Sequence, residues 1–512
     1  MWEQRFRPAV DKDNPILRGR GRRLAALWLS SLVLASVGGA PAAAAQQPVV
    51  GTNVPLTVPE GIEAHNSPTT AVDPTDPANV VIAARIDRPA FSAAIRFSLD
   101  GGKSWAEGRF PVPPGEDRPF APDLVFDRDG ILYLEFVTLE GPGNSPGGVW
   151  LARSSDGGAT FSDPVRILDA YAFQVRLTID VERDPDRLWI TWLQAGADAV
   201  QCQNCFAETG LPILAAYSDD GGDTWSDALR VSDPQRARVG APVPAIGAEG
   251  ELIVLYYDFR DDRIDWENLE GTYSGAWELV LARSSEDGDS FSEAVVDDDI
   301  AAPDRFLPYI PPWPSLAVDD DLVLAGWHDD RNGDWDVFVA RSEDGGEAWE
   351  EPVRVNDDEI RNGRSQYLPQ LDVAAGGRVD ITFYDRRGDP NNVMTDVYLA
   401  SSTDRGQSFA PNLRVSDLAF SSRVGPEHIG AGADFGSRIG LASVEDRALA
   451  VWTDTRNGTV ASAKQDIYAA VVTDLPSDDA NLAVPVIALT AGLIAGTGGS
   501  LLLGARMRRR AG

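Results

Sequence analysis

Ser218-Asp219-Asp220-Gly221-Gly222-Asp223-Thr224-Trp225 is the stretch from which the fold is read. A serine is followed two residues on by an aspartate, two further on by a glycine, and then by a hydroxyl and an aromatic. Five relatives end at Trp105, Phe161, Phe291, Trp349 and Phe409. Their acidic positions are Asp100, Asp156, Asp344 and Asp404, with Glu286 in the equivalent slot of the fourth copy. The acidic positions recur every 56 to 66 residues, a period that points to a propeller or solenoid array. A short carboxylate accepts hydrogen bonds from nearby backbone N–H groups and locks a turn. Glycine supplies positive φ at no steric cost, and the aromatic can plug back into an apolar layer. The stretch is therefore a hairpin staple. Each aspartate is already engaged by its own turn, which argues against six separate calcium or substrate sites.

Outward from the turns, seven similar units can be counted. Each opens with a short strand such as Ser315 to Val318, then a strongly apolar second strand such as Leu322 to Trp327. A third, such as Asp336 to Ala340, precedes the stapled turn, and a fourth, such as Pro352 to Val355, follows it. Continuous apolar runs suit strands covered on both faces. Second strands fall at Val80 to Ala84, Ile131 to Val137, Leu188 to Trp192, Leu252 to Tyr257, Leu322 to Trp327, Val379 to Tyr384 and Ala448 to Trp452. The last unit has a third strand, Asp466 to Val472, but no stapled turn and no fourth strand. Pro48-Val49-Val50 has the pattern of the missing one, matching Pro164-Val165 and Pro352-Val353. The expectation is an all-β propeller of four-stranded blades in which this N-terminal strand completes the last blade and removes exposed sheet edges. Seven blades are preferred; six would require unit one or seven to be irregular.

The two ends differ from this body. Arg18, Arg20, Arg22 and Arg23 precede an apolar run, Leu24 to Ala35, and then Ala43 to Ala45, so residues 1–45 are expected to be a secretory signal peptide. The propeller is expected over 46–475 and a short linker over 476–481. The uncharged stretch 482–503 is expected to be a transmembrane helix, and 504–512 a basic cytoplasmic tail. The alternative is a processed sorting tail; in both cases the propeller is extracytoplasmic and surface-associated. The chain carries a formal charge of −34, and its ends contribute more basic than acidic residues, so the body is more acidic still. Such a surface repels nucleic acid and anionic lipid. Cys202 and Cys205 are expected to form a local disulfide outside the membrane. The three histidines lie far from them in sequence, so no metal site is expected, and no cofactor either.

The stapled turns resemble the Asp-box, or BNR repeat, of the sialidase-like β-propellers, over nearly all of residues 48–474. The resemblance implies a site where strands converge on the central axis, opposite the stapled turns. It implies an exo-glycosidase of sialidase type, with an arginine cluster holding a carboxylate sugar. A tyrosine nucleophile paired with a glutamate, and an aspartate acid/base, would complete the set. The alternative is a non-catalytic propeller that binds polysaccharide or protein. The expected partner is thus an extracellular glycan or surface protein, and the ectodomain is expected to be monomeric.

Candidates for these roles follow from position. Tyr257 and Tyr384 end second strands and are nucleophile candidates, with Asp87 and Glu427 as the acidic partners. The family's Phe/Tyr-Arg-Ile-Pro element has an echo in Arg85-Ile86-Asp87-Arg88-Pro89, interrupted by an aspartate and an arginine. Four second strands are followed by aspartate, a skip and arginine: Asp258 and Arg260, Asp329 and Arg331, Asp385 and Arg387, Asp454 and Arg456. Asp87 and Arg88 are a degenerate version. Each pair either braces a turn or bridges blades, or else forms part of a charged ring at the axial mouth that takes a polar ligand. Arg305, Arg364 and Arg423, on fourth-to-first connections, are further ligand-binding candidates. Trp192, Trp327 and Trp452 can stack a sugar or pack the blades.

Overall fold

A computed structural model describes residues 47–476 apart from 59, 142–143, 197–210, 261–275, 286–289, 302–311 and 429–431. The stretches expected to be a signal peptide and a transmembrane helix, with Cys202, Cys205, Glu286 and Arg305, lie outside the described residues, as does the side chain of Glu427.

Seven antiparallel sheets account for the body of the chain. Blade 5 shows the pattern: Ser315–Asp319, Leu322–Asp329, Asp336–Ser342 and Val353–Arg354 pair in chain order. The first strands of blades 1 to 7 are His65–Val72, Pro119–Phe126, Ala172–Asp180, Val239–Ile246, Ser315–Asp319, Gln366–Val373 and Gly440–Val444. Each packs on the next and the seventh on the first, so the ring closes. All seven expected second strands are present. They are the most buried elements, Leu252–Asp258 and Val379–Asp385 being buried along their whole length, because apolar clusters fill the space on both faces between blades.

The seventh sheet is completed as expected from the N-terminus. Val49–Val50 pairs antiparallel with Thr473 and Val472, and Val54–Pro55 adds a second short contact with Ala469 and Tyr468.

The stapled turns form as their chemistry dictates. Ser218 Oγ donates to Asp220 at 2.7 Å and accepts from Gly222 N at 2.7 Å, while Thr224 N donates to Asp220 at 2.8 Å. The same bonds recur around Asp100, Asp156, Asp344 and Asp404. Bonds from Ser104 and Thr224 hold the Asp100 and Asp220 carboxyls down at about 2. The glycine has a second duty. Gly222 sits at φ 93°, and a Cβ there would meet Leu151 of the preceding blade at 2.2 Å; Gly346 stands the same way against Leu281. The turns therefore lock blade to blade as well as strand to strand. Ser218→Ala leaves the buried Gly222 N–H without its acceptor, and we expect a loss of about 1–3 kcal/mol in a urea unfolding series.

Candidate functional site

The side chains at the axis are placed by a defect that recurs in the first strands. Ser67, Ala121, Gln174, Ala241 and Leu368 all have φ between 51° and 56°, and the ladder slips register at each of these five points. Bulges of this kind re-aim the following side chains and mark positions where structure is held against local preference. Just beyond three of the bulges stand Thr69, Asp123 and Arg176. Arg438 holds the corresponding place in blade 7, after Gly436 at φ 89°. The sequence trace of the bulge is an X-Pro step at Ser67-Pro68, Ala121-Pro122, Ala241-Pro242 and Leu368-Pro369.

At the mouth, Arg85 ends the second strand of blade 1 and is 3% exposed. Its guanidinium meets Asp87 at 2.8 Å and, across the seam between first and last blades, Asp434 at 2.6 Å. Asn66 donates to Asp87 at 2.9 Å and to the Gln465 side chain at 3.1 Å. Burial would lower the arginine, but the two aspartates more than reverse it and its pKa is raised. Burial lifts the Asp87 carboxyl despite Arg85, and the nearby Asp434 adds to the rise.

Further along the axis, Asp123 accepts from Arg176 Nε at 2.8 Å, Leu177 N at 3.1 Å and Thr69 Oγ1 at 3.0 Å. Arg438 stands 3.8 Å from the same carboxylate and donates to the Pro122 carbonyl at 3.2 Å. Asp123 is buried, yet Arg176 and Arg438 hold its carboxyl below the ordinary value. Glu135, opposite Asp123 in the ladder, is fully buried. Neither of its oxygens has a hydrogen-bond partner among the described residues. Burial, then the charge of Asp123, pushes it well above the carboxylate range. A cavity of about 100 Å³ adjoins Arg176 and Arg438. A larger one, about 510 Å³, lies by the stapled turns of blades 4 and 5, away from these groups.

The expected site residues are mostly dispersed. Tyr257 is 1% exposed and packs on Trp277 with ring centroids 5.3 Å apart. Tyr384 is wholly buried and accepts from Thr453 N at 3.0 Å. Burial raises both phenols, so the nucleophile assignment is corrected: they are packing residues. A tyrosine–glutamate pair does exist, Tyr256 with Glu293, tied through Arg236 to Asp258 and Glu278. It belongs to blade 4 and the connection leading into it, and burial together with Glu293 raises the phenol, the wrong direction for a nucleophile. Asp87 is bound to Arg85 and is not poised as an acid/base.

The aspartate–arginine pairs brace and bridge. Asp329, Asp385 and Asp454 each accept from the backbone N–H of their arginine, at 3.0, 2.6 and 2.8 Å. Arg331 then reaches Asp297 of the preceding blade at 2.9 Å and Arg456 reaches Asp417 at 2.6 Å, while Arg387 pairs with Asp357. Arg260 pairs with Glu278 within its own blade. Trp327 and Trp452 are buried and donate to Asp329 and Asp454 at 2.9 and 3.0 Å; Trp192 is buried and donates to Gln194. These bonds are those of the bracing and bridging alternative, and the tryptophans pack the blades. Arg88 and Arg423 are exposed, and Arg364 is half-buried on the rim. They do not join the axial cluster.

No protein-family model matches the chain, and no curated protein does. Solved structures similar to it include a protein of unknown function from Dyadobacter fermentans, 13% identical, with 83% of this chain and 99% of that one covered and a TM-score of 0.45. The phage phi92 endosialidase is 12% identical over 84% of this chain and 70% of its own, with a TM-score of 0.46. A Penicillium chrysogenum alpha-L-arabinanase is 14% identical over 71% and 96%, with a TM-score of 0.40.

Proposed function

We propose that the chain is a surface-anchored, extracytoplasmic propeller that binds glycan on its axial face without the tyrosine–glutamate hydrolysis of sialidases. The observation that carries this reading is Arg85. It is the arginine of the Arg-Ile echo, and its guanidinium is enclosed by two buried aspartates. A carboxylate sugar would have to displace Asp87 or Asp434 and leave it buried and unpaired, which is costly. The binding half is supported by the rim between blades 5 and 6. There, among the described residues, the Arg364 guanidinium makes long bonds, 3.3 and 3.4 Å, to the carbonyls of Asn362 and Gly363. Asn362 shares that connection, while the half-buried Trp335 and the exposed Asn391 stand on the second-to-third-strand loops of blades 5 and 6. Amides and a guanidinium beside an aromatic face suit sugar hydroxyls and ring faces. Tethering follows from the apolar segment 482–503.

The test combines a glycan array with a panel of fluorogenic sialosides. Specific retention without turnover is expected, weakened about tenfold by Arg364→Ala through loss of a charge-assisted contact. Sialoside turnover, or an array with no specific hit, would overturn the reading.

A further inference from the structure

In a chain of formal charge −34, the cavity on the propeller axis has no acidic residue in its lining among the described residues. Its polar wall is Arg176, Arg438, Gln370 and Ser437, and Trp313 and Leu316 contribute to the apolar part. The volume is about 100 Å³, room for one compact ion and a water or two at ~30 Å³ per water. Arg176 lies over the Trp313 ring, 5.2 Å from its centroid.

The charges around this cavity do not balance locally. Asp123 is the acid serving both guanidiniums, at 2.8 Å from Arg176 and 3.8 Å from Arg438. The second acid within reach, Glu135, is fully buried, and no donor among the described residues meets either oxygen. A carboxyl so placed keeps its proton, because ionisation without a hydrogen-bond donor in a dry site is costly. Arg85, the remaining cation near Arg438, is already enclosed by Asp87 and Asp434. Arg438 is thus a buried cation that, among the described residues, shares its one close carboxylate with Arg176, which holds it at the shorter distance. Burial, and next the neighbouring Arg176, bring it down to about 10.

We propose that the axial cavity binds one compact monovalent anion, chloride or a small carboxylate, between the guanidinium groups of Arg176 and Arg438. Guanidinium donors in a water-poor site hold such an anion through charge-assisted hydrogen bonds. The site is independent of the glycan reading, which concerns the rim. It is linked to the proton on Glu135. The charged groups facing that carboxyl are Asp123 on the paired strand, Arg176 from blade 3 and Arg438 from blade 7. When Glu135 ionises it supplies the missing negative charge itself, so anion affinity falls as pH rises.

The experiment is chlorine NMR line broadening on the full-length protein, with acetate as competitor and gluconate, too large for the cavity, as the ionic-strength control. Excess broadening that acetate displaces and gluconate does not is the expected result. Arg438→Gln should weaken it about tenfold or more. Glu135→Gln should retain it and remove its decline with rising pH. Broadening that gluconate displaces equally, or that survives unchanged in Arg438→Gln, would overturn the proposal. Should Arg438→Gln fail to fold, bromide-soaked crystals of the wild-type protein decide: anomalous density between Arg176 and Arg438 is expected, and its absence overturns the site.

Discussion

Replacing Arg85 with methionine is expected to destabilise the propeller by about 3–5 kcal/mol, and by more at pH 8 than at pH 5. The side chain is 3% exposed and holds Asp87 at 2.8 Å and Asp434 at 2.6 Å. Without it, the buried Asp87 carboxyl faces Asp434 and keeps the neutral donor Asn66. The Asp87 carboxyl, already lifted by burial and by Asp434, then sits further above the unfolded value of about 3.9. For a group raised in the folded state, the stability it allows is fully present below the unfolded value and lost as pH rises through the folded one. The defect therefore grows from about pH 4 upward. Arg85→Met with Asp87→Asn and Asp434→Asn should recover most of the loss, since an uncharged site of similar volume has no counter-ion to miss. Urea midpoints at the two pH values measure this. A loss independent of pH, or a triple variant no better than the single one, would show that Arg85 acts by packing rather than by charge.

The contrast between Arg85 and the stapled turns explains what could be read from the sequence. In each staple the partners lie within seven residues, as from Ser218 to Trp225, so composition and spacing carry the whole geometry. Arg85 and Asp434 are 349 residues apart, and no local pattern announces that they meet. Position misled in the same way at Tyr257 and Tyr384: strand ends near a mouth look accessible, but the neighbouring blade covers them. The aspartate–arginine pairs were half legible. Their internal brace spans two residues, whereas the bridging acid had its own overlooked repeat, Val353-Arg354-Val355-Asn356-Asp357 and Leu413-Arg414-Val415-Ser416-Asp417. Asp123, Arg176 and Arg438 were missed because a bulge shifts the strand register. Alternation read through a bulge assigns every later side chain to the wrong face. The X-Pro step at Ala121-Pro122 was the available signal for Asp123; no such step precedes Arg176 or Arg438.

Deleting residues 47–56 is expected to abolish cooperative folding, since closure of the ring rests on a short stretch that is remote in sequence from the blade it completes. Val49–Val50 and Val54–Pro55 cover the edge of Asp466–Thr473. Between them Asn53 donates to Val415 O at 3.0 Å and accepts from Asp417 N at 2.8 Å, fastening blade 6 as well. Leu56 is 4% exposed within the apolar cluster shared by blades 1 and 7. Thr57 Oγ1 donates to Asp466 at 2.8 Å. Removal bares a strand edge and opens that cluster to water, the condition that favours aggregation. A peptide spanning 47–58 should restore folding in trans, because strand addition needs only the free edge and a side-chain pocket. Point variants separate the two contributions. Leu56→Ala should cost about 2–5 kcal/mol by emptying its pocket, whereas Val49→Ala, at a site 52% exposed, should stay within about 0.5 kcal/mol. A deletion variant that unfolds with the wild-type midpoint would show that the seven sheets hold together without this clasp. The expected result instead makes the N-terminal strand an obligatory contact of the closed ring. Its loop-closure cost grows only slowly with chain length, whereas the clasp it completes acts on both neighbouring blades at once.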